Sequence, residues 1–194
     1  MNITELHYII SIDNVGSTFK NGILSHNKAK KINHQSIAMQ EVQERRAKVI
    51  LPNNKRLHDH ANLYFTARNP MMYKIINEHN GPQNICVLRI SSEIMKLDGV
   101  LISDRNASSG YARFGTYPGF LNELDWERVF ATSWVDPDNK QMIIKRSIKC
   151  AEVLVPGVIP PNYITGIYIS SEEANNLTNG FSRNVSVNKD LFFQ

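Results

Sequence analysis

Cysteine, glycine-rich signatures and long apolar runs are all scarce in this chain of 194 residues, and each scarcity excludes something. The two cysteines, Cys86 and Cys150, both sit in apolar stretches. Thiols so placed predict buried free cysteines in a reducing, cytoplasmic setting, not a disulfide framework. No run approaches the roughly 18 apolar residues of a membrane span. The stretch Met1 to Glu5 lacks the basic-then-apolar pattern of a signal peptide. Neither GxGxxG nor GxxxxGK(S/T) occurs, which disfavours the conventional dinucleotide and P-loop folds. His58 and His60 stand at i, i+2 with no further Cys/His pair at ligand spacing, so no metal is expected. Repeats, linkers and low-complexity tracts are missing too, and residues 1–194 are expected to form a single domain.

What is present is unevenly charged. Residues 1–60 hold nine Lys and Arg against five Asp and Glu, whereas residues 61–194 hold thirteen of each. The surplus clusters at Lys28, Lys30 and Lys31, at Arg45, Arg46 and Lys48, and at Lys55 and Arg56. Such asymmetry suits an anionic partner, a nucleic acid or a phosphorylated cofactor; the alternative is a solvated basic face.

Strand-like runs fall at 6–10, 63–66, 85–90, 100–103, 149–156, 163–170 and 185–193. Short helices are predicted after Ser11 or Asp13, ending at Gly22; over 36–49; from Asn69-Pro70; over 121–130; and from Ser171. The 36–49 helix, dense in Gln, Glu and Arg, reads as solvent-exposed. Strands interrupted by short helices, with no βαβ rhythm, predict an α+β fold with antiparallel sheets. Residues 104–119 read as a long loop in which Tyr111, Arg113 and Phe114 interleave aromatic and basic character, a composition suited to single-stranded nucleic acid.

One residue resists this pattern. Lys149 to Pro156 reads as a buried strand with Cys150, Glu152 and Leu154 on one face. A buried carboxylate is costly unless paired or facing a wet cavity. Glu152 therefore either meets a buried cation or faces a cleft where chemistry occurs.

Four stretches resemble the DarT family of DNA ADP-ribosyltransferase toxins. They are Leu6-His7-Tyr8-Ile9 with Ile12-Asp13-Asn14; Gln43-Glu44-Arg45-Arg46; Leu57-His58-Asp59 through Leu63-Tyr64-Phe65 to Arg68-Asn69-Pro70-Met71-Met72-Tyr73; and Ala151-Glu152-Val153-Leu154-Val155. The resemblance implies two antiparallel sheets enclosing an NAD cleft, with flanking helices. It implies transfer of ADP-ribose from NAD to a thymine or guanine of single-stranded DNA, without metal, by a monomer that avoids membranes and is opposed by a macrodomain antitoxin. By position, Glu152 matches the family's catalytic glutamate and Arg46 the arginine beside it. His7 matches a first-strand residue touching the NAD ribose, and Tyr64 and Met71 match the nicotinamide pocket. Tyr8, Ile9, Asn14, Leu24 and Arg46 complete the NAD-binding set; Arg45, Lys48, Arg105, Tyr111 and Arg113 are the expected DNA contacts.

The chemistry suits these residues. Breaking the bond to nicotinamide builds oxocarbenium character on the ribose, which a carboxylate stabilises. Arginine is a poor base at neutral pH because its pKa exceeds about 12, so Arg46 is expected to hold a carbonyl or phosphate. Rival expectations are an enzyme of this fold acting on RNA or protein, an NAD glycohydrolase, a non-catalytic binding module, and a nuclease built on His58, Asp59 and His60.

Overall fold

The computed structural model describes residues 3–78, 81–174 and 184–194. Its centre is β1 (Glu5–Ser11), which pairs antiparallel with β3 (His60–Tyr64) on one side and β4 (Ile85–Ser91) on the other. Around these lie β5 (Leu101–Ser103), β6 (Phe114–Gly115), β7 (Glu152–Pro156), β9 (Ile164–Ile169) and β10 (Asn184–Val187). Together they form an eight-stranded sheet in the order β10-β9-β4-β1-β3-β7-β5-β6. A separate two-stranded sheet joins β2 (Ile23–Leu24) to β8 (Val158–Ile159).

Period-two alternation divides the large sheet into two faces. Leu6, Ile10, Leu63, Leu88, Ile102 and Val153 belong to the main core on one face. On the other face Ile9, Tyr64 and Val87 pack on Met72 and Ile75, and Leu101 and Leu154 pack on Leu51 and Leu57. Directly opposed residues share a face. The pairings align Asn184, Gly166, Arg89, His7, Tyr64, Glu152, Ser103 and Phe114 in one row across all eight strands. That row carries three of the residues picked out from the sequence, His7, Tyr64 and Glu152, side by side.

The helices are α1 (Val15–Asn21), α2 (His26–Ala29), α3 (Gln40–Ala47), α4 (Pro70–Glu78), α5 (Trp126–Phe130) and α6 (Asn139–Ile148). Ser11 caps the 3-10 turn leading into α1, and Gly22 ends α1 at φ 80°. Asn69 caps α4 through Oδ1, which accepts from the Met72 amide at 3.0 Å.

The α+β class and the division into two sheets hold, but the sheets are unequal and β10 runs parallel to β9. The chain departs from the expected elements at four places. The 36–49 helix covers only Gln40–Ala47, after an extended Met39, and the segment before it is tied at Gln35 by the Asn14 side chain at 2.7 and 2.9 Å. The 121–130 helix is split: a 3-10 turn covers 119–123, and α5 restarts where Asp125 accepts from the Arg128 amide. The 149–156 strand begins at Glu152, because α6 reaches Ile148 and the Cys150 and Ala151 amides still bond back to Ser147 and Ile148. Cys150 is therefore in a turn; it and Cys86 are buried and free. The 185–193 strand stops at Val187, where Asn188 caps a 3-10 turn over 189–192. No helix among the described residues is long and apolar enough to cross a membrane.

Gly22 is fixed by its surroundings as well as its φ. A Cβ there would lie 2.3 Å from the Ile159 carbonyl oxygen, in the strand that β2 must pair with. Gly22→Ala is expected to cost more than about 1 kcal/mol in urea unfolding; a neutral substitution would show that the β2–β8 ribbon yields.

Candidate active site

Register places Glu152 opposite Tyr64 on one side and Ser103 on the other, on a face that α3 and the 104–115 loop cover. The carboxylate is 0% exposed. Arg46 closes on it as a fork: Nη1 donates to Oε1 and Nη2 to Oε2, both at 3.0 Å. The Ala107 amide donates to Oε1 at 2.9 Å. Oε1 thus accepts two hydrogen bonds and Oε2 one. The Glu152 amide donates to Ser103 Oγ at 3.2 Å, and that hydroxyl donates to the Arg105 carbonyl at 2.7 Å. Arg46, 6% exposed, is not the solvated residue its polar helix suggested. Burial opposes the guanidinium charge, and the Glu152 carboxylate outweighs burial, so its pKa moves up.

Arg46 also lines a cleft of about 510 Å3, in the range of small-molecule sites. Of the expected NAD contacts, Tyr8, Ile9, Asn14, Leu24, Arg46, Tyr64 and Met71 all line it. Glu152 itself lies behind Arg46. The walls come from α1, α2, the 32–39 segment, α3, α4 and the start of the 104–115 loop. The Asn14 side chain is spent on Gln35, so it shapes the wall by fixing that segment. Tyr64 is buried, and burial with the nearby Glu152 charge raises its pKa well above the usual phenol value, keeping it protonated. Burial likewise pushes the Cys150 thiol up to about 12.

His7 does not line the cleft. Its Nε2 lies 3.1 Å from Glu5 Oε1 and its Nδ1 accepts from the Ala67 amide at 2.9 Å, so both ring nitrogens are committed. The Ala67 contact ties β1 to the turn that launches α4. Glu5 also accepts from Arg89 Nε at 2.8 Å and from the Tyr168 hydroxyl at 2.9 Å. The His7 hydrogen bond, opposed by burial and helped by Arg89 and Tyr168, lowers the Glu5 pKa from 4.5 to about 2.

The expected DNA contacts divide. Arg45 lines the cleft; Lys48, Arg105, Tyr111 and Arg113 lie outside its lining. Arg105 and Arg113 are both engaged by Asp104 (Nη2 to Oδ2 at 3.1 Å and Nε to Oδ2 at 3.0 Å), and Arg113 also meets Glu123. These contacts pin the loop that presents the Ala107 amide to Glu152. Tyr111, at its tip, is 83% exposed.

Several cleft residues escaped the sequence reading. His26 and His58 stack there with ring centroids 4.0 Å apart. Burial, together with the neighbouring imidazole and Arg46, holds His58 down at about 4. Gln43, Asn106, Ser108, Ser109 and Arg146 also line the cleft. Gln43 and His58 were visible within the motifs that carry the family resemblance; Arg146 carried no such signal. Among the described residues Arg45 and Arg146 are in no ion pair, whereas Lys74 is held by Glu41 and Glu78. His60 is bonded to the Arg56 carbonyl and Asn53, and Asp59 to Asn27 and the Arg56 amide. No group of three or more His, Cys, Asp or Glu among the described residues is arranged to hold a metal.

Removing one partner of a buried ion pair strands the other, at about 3–5 kcal/mol. Glu152→Ala and Arg46→Ala are each expected to lower stability by that order, and the double variant by much less than the sum; additive losses in urea unfolding would contradict the coupling. For Glu5 the sign is that of a depressed acid: its contribution is full above about pH 4.5 and is lost as pH falls toward about 2. Glu5→Gln should flatten stability across that window, and an unchanged pH profile would argue against the network.

With this geometry in place, comparison with known proteins gives the following. Residues 7–193 match the family described as ssDNA thymidine ADP-ribosyltransferase, DarT. A DNA ADP-ribosyl transferase–DNA ADP-ribosyl glycohydrolase fusion protein of Thermosipho africanus (strain H17ap60334) is 35% identical over 202 residues, covering 97% of this chain and 49% of that protein. The chain thus spans about half the length of that relative. A structure of Thermus sp. 2.9 DarT in complex with ADP-ribosylated ssDNA superposes with a TM-score of 0.83 at 28% identity, covering 98% of this chain and 96% of that one. Another, of the same DarT in complex with NAD+, gives 0.80 at 27% identity over 99% and 98%. A match over nearly the whole chain places this protein in the DarT family of single-stranded DNA ADP-ribosyltransferases.

Proposed function

We propose that this chain transfers ADP-ribose from NAD to a base of single-stranded DNA, thymine being the base in the family's description, and releases nicotinamide. The observation that carries the reading is the Arg46–Glu152 fork beneath the cleft. The complexes of Thermus sp. 2.9 DarT with NAD+ and with ADP-ribosylated ssDNA support it.

In the reaction, the bond from ribose C1′ to the nicotinamide nitrogen breaks, and its electron pair leaves on nicotinamide. C1′ passes through an oxocarbenium-like state. Glu152 stabilises that cation. Oε2 accepts one hydrogen bond where Oε1 accepts two, and Arg46 must shift aside for a ribose hydroxyl to reach it. The base nitrogen attacks C1′ and loses its proton, which passes to the Glu152 carboxylate. Arg46 stays charged, orients Glu152, and offers positive charge to a base carbonyl or phosphate. Tyr64 and Met71 form the nicotinamide side of the cleft, and Tyr8, Ile9 and Leu24 its apolar floor. Arg45 and Arg146 supply cations for phosphates. Lys48 and Tyr111 extend the DNA path; Arg105 and Arg113 serve it by holding the loop. Residues 1–194 act as one ADP-ribosyltransferase domain and as a monomer. The fusion in Thermosipho africanus supports a partner glycohydrolase, a macrodomain antitoxin, that removes the modification.

A hydrolase would need no nucleic-acid path, so DNA is the discriminating substrate. Glu152→Gln, which keeps shape and one acceptor oxygen, is expected to lose at least about 100-fold in transfer, the order seen when a transition-state charge partner is removed. Arg46→Lys should lose transfer more than NAD affinity. Single strands should react faster than duplex, whose paired bases must first be unstacked, and DNA binding should weaken steeply with salt. Oligonucleotide mass and NAD titration measure these. Near wild-type transfer by Glu152→Gln, or equal rates on duplex, would overturn the assignment.

A further inference from the structure

Gln43 lies one helical turn before Arg46 on α3, and both side chains line the cleft. Residues at i and i+3 share a helix face and are about 4.5 Å apart along the axis. Gln43 Oε1 faces His58 Nε2 at 3.1 Å. A carbonyl oxygen only accepts, so His58 carries its proton on Nε2. The imidazole is itself fixed: it is 7% exposed and stacked on His26. Burial, with Arg46 and Lys30 nearby and Asp59 opposing them, keeps the ring neutral with a single N–H. The Gln43 amide is thereby held in one orientation. Its carbonyl is spent, and its NH2 has no acceptor among the described residues.

We propose that Gln43 donates a hydrogen bond from this NH2 to a carbonyl oxygen of the acceptor base, and that His58 is the positioning residue that aims it. The inference rests on the DNA-transfer reading above and adds how the base is held. A thymine linked to its sugar has one ring N–H, flanked on each side by a carbonyl oxygen. Arg46 and Gln43, one turn apart on the same face, supply donors for both. Cytosine presents an amino donor on one of those edges and adenine no carbonyl at all. Two donors in this arrangement therefore favour a base with two carbonyls, since a site built to donate is left unpaired by one that cannot accept.

The test compares wild type, Gln43→Leu, His58→Phe and the double variant, with NAD and a single-stranded thymine oligonucleotide. His58→Phe keeps a ring against His26 and loses the N–H. Gln43→Leu is expected to raise KM for the oligonucleotide about tenfold, with the Kd for NAD changed less than twofold. His58→Phe should lose nearly as much, and the double variant no more than Gln43→Leu, because the two act through one donor. A change confined to NAD affinity, additive losses, or an oligonucleotide KM unchanged in Gln43→Leu would each overturn the proposal. A second measurement reads a ratio of two substrates within each protein, so a lower fraction of folded Gln43→Leu does not alter it. An oligonucleotide whose thymine carbonyl oxygens are replaced by sulfur, a weaker acceptor, should slow wild type; loss of that discrimination in Gln43→Leu supports the contact, and retention of it in full overturns it. If wild type itself modifies no DNA, it is the transfer reading that fails, which separates the two outcomes.

Discussion

The buried fork between Arg46 and Glu152 is the interaction on which the rest depends. Two charges removed from water are tolerated only when geometry is good and the remaining acceptor sites are filled. The chain meets that demand from four directions. The register of β3, β7 and β5 places Glu152 between Tyr64 and Ser103. The turn of α3 delivers the guanidinium in bidentate geometry. The Ala107 amide fills a further acceptor site. Asp104, grasped by Arg105 and Arg113, keeps the loop carrying that amide in place. The arrangement leaves a carboxylate that is oriented by three hydrogen bonds and shielded from water.

The surrounding cleft is electropositive without being uniformly charged. Arg45, Arg46 and Arg146 line it, while burial keeps His26 and His58 neutral. Lys74 is offset by Glu41 and Glu78. Permanent guanidinium charges therefore line the cleft beside two neutral imidazoles, of which His58 bonds Gln43. The basic surplus in the first sixty residues has this local meaning: part of it forms the site and part remains on the exterior.

Much of this was legible in the sequence because it is local. Asn69-Pro70 marks a helix start and Gly22 a helix end by backbone chemistry alone, and both hold. Glu152 stood out as a carboxylate in an apolar run, and of the two readings open to it the structure shows the buried cation, Arg46, which stands between it and the cleft. What was not legible depends on distant partners. Arg46 looked exposed because its own helix is polar; its burial comes from β7, 106 residues away. Arg105 and Arg113 looked free for DNA because an acidic partner at Asp104 is identified only when the loop folds back. His7 looked like a ligand contact, yet its ring is taken by Glu5 and the Ala67 amide, a pairing that follows from strand register. Helix α6 went unseen although Asp138 caps it, because the polar Asp136-Pro137-Asp138 run reads equally as loop.

The central claim is that the charge pair under the cleft drives group transfer to DNA rather than hydrolysis. The most direct measurement is the ratio of nicotinamide released to ADP-ribose covalently attached when the wild-type chain, NAD and a single-stranded thymine oligonucleotide react for a few turnovers. The account predicts a ratio near one, with each nicotinamide matched by one adduct on the strand. Nicotinamide released in large excess, with free ADP-ribose as the product and the oligonucleotide mass unchanged, would contradict it.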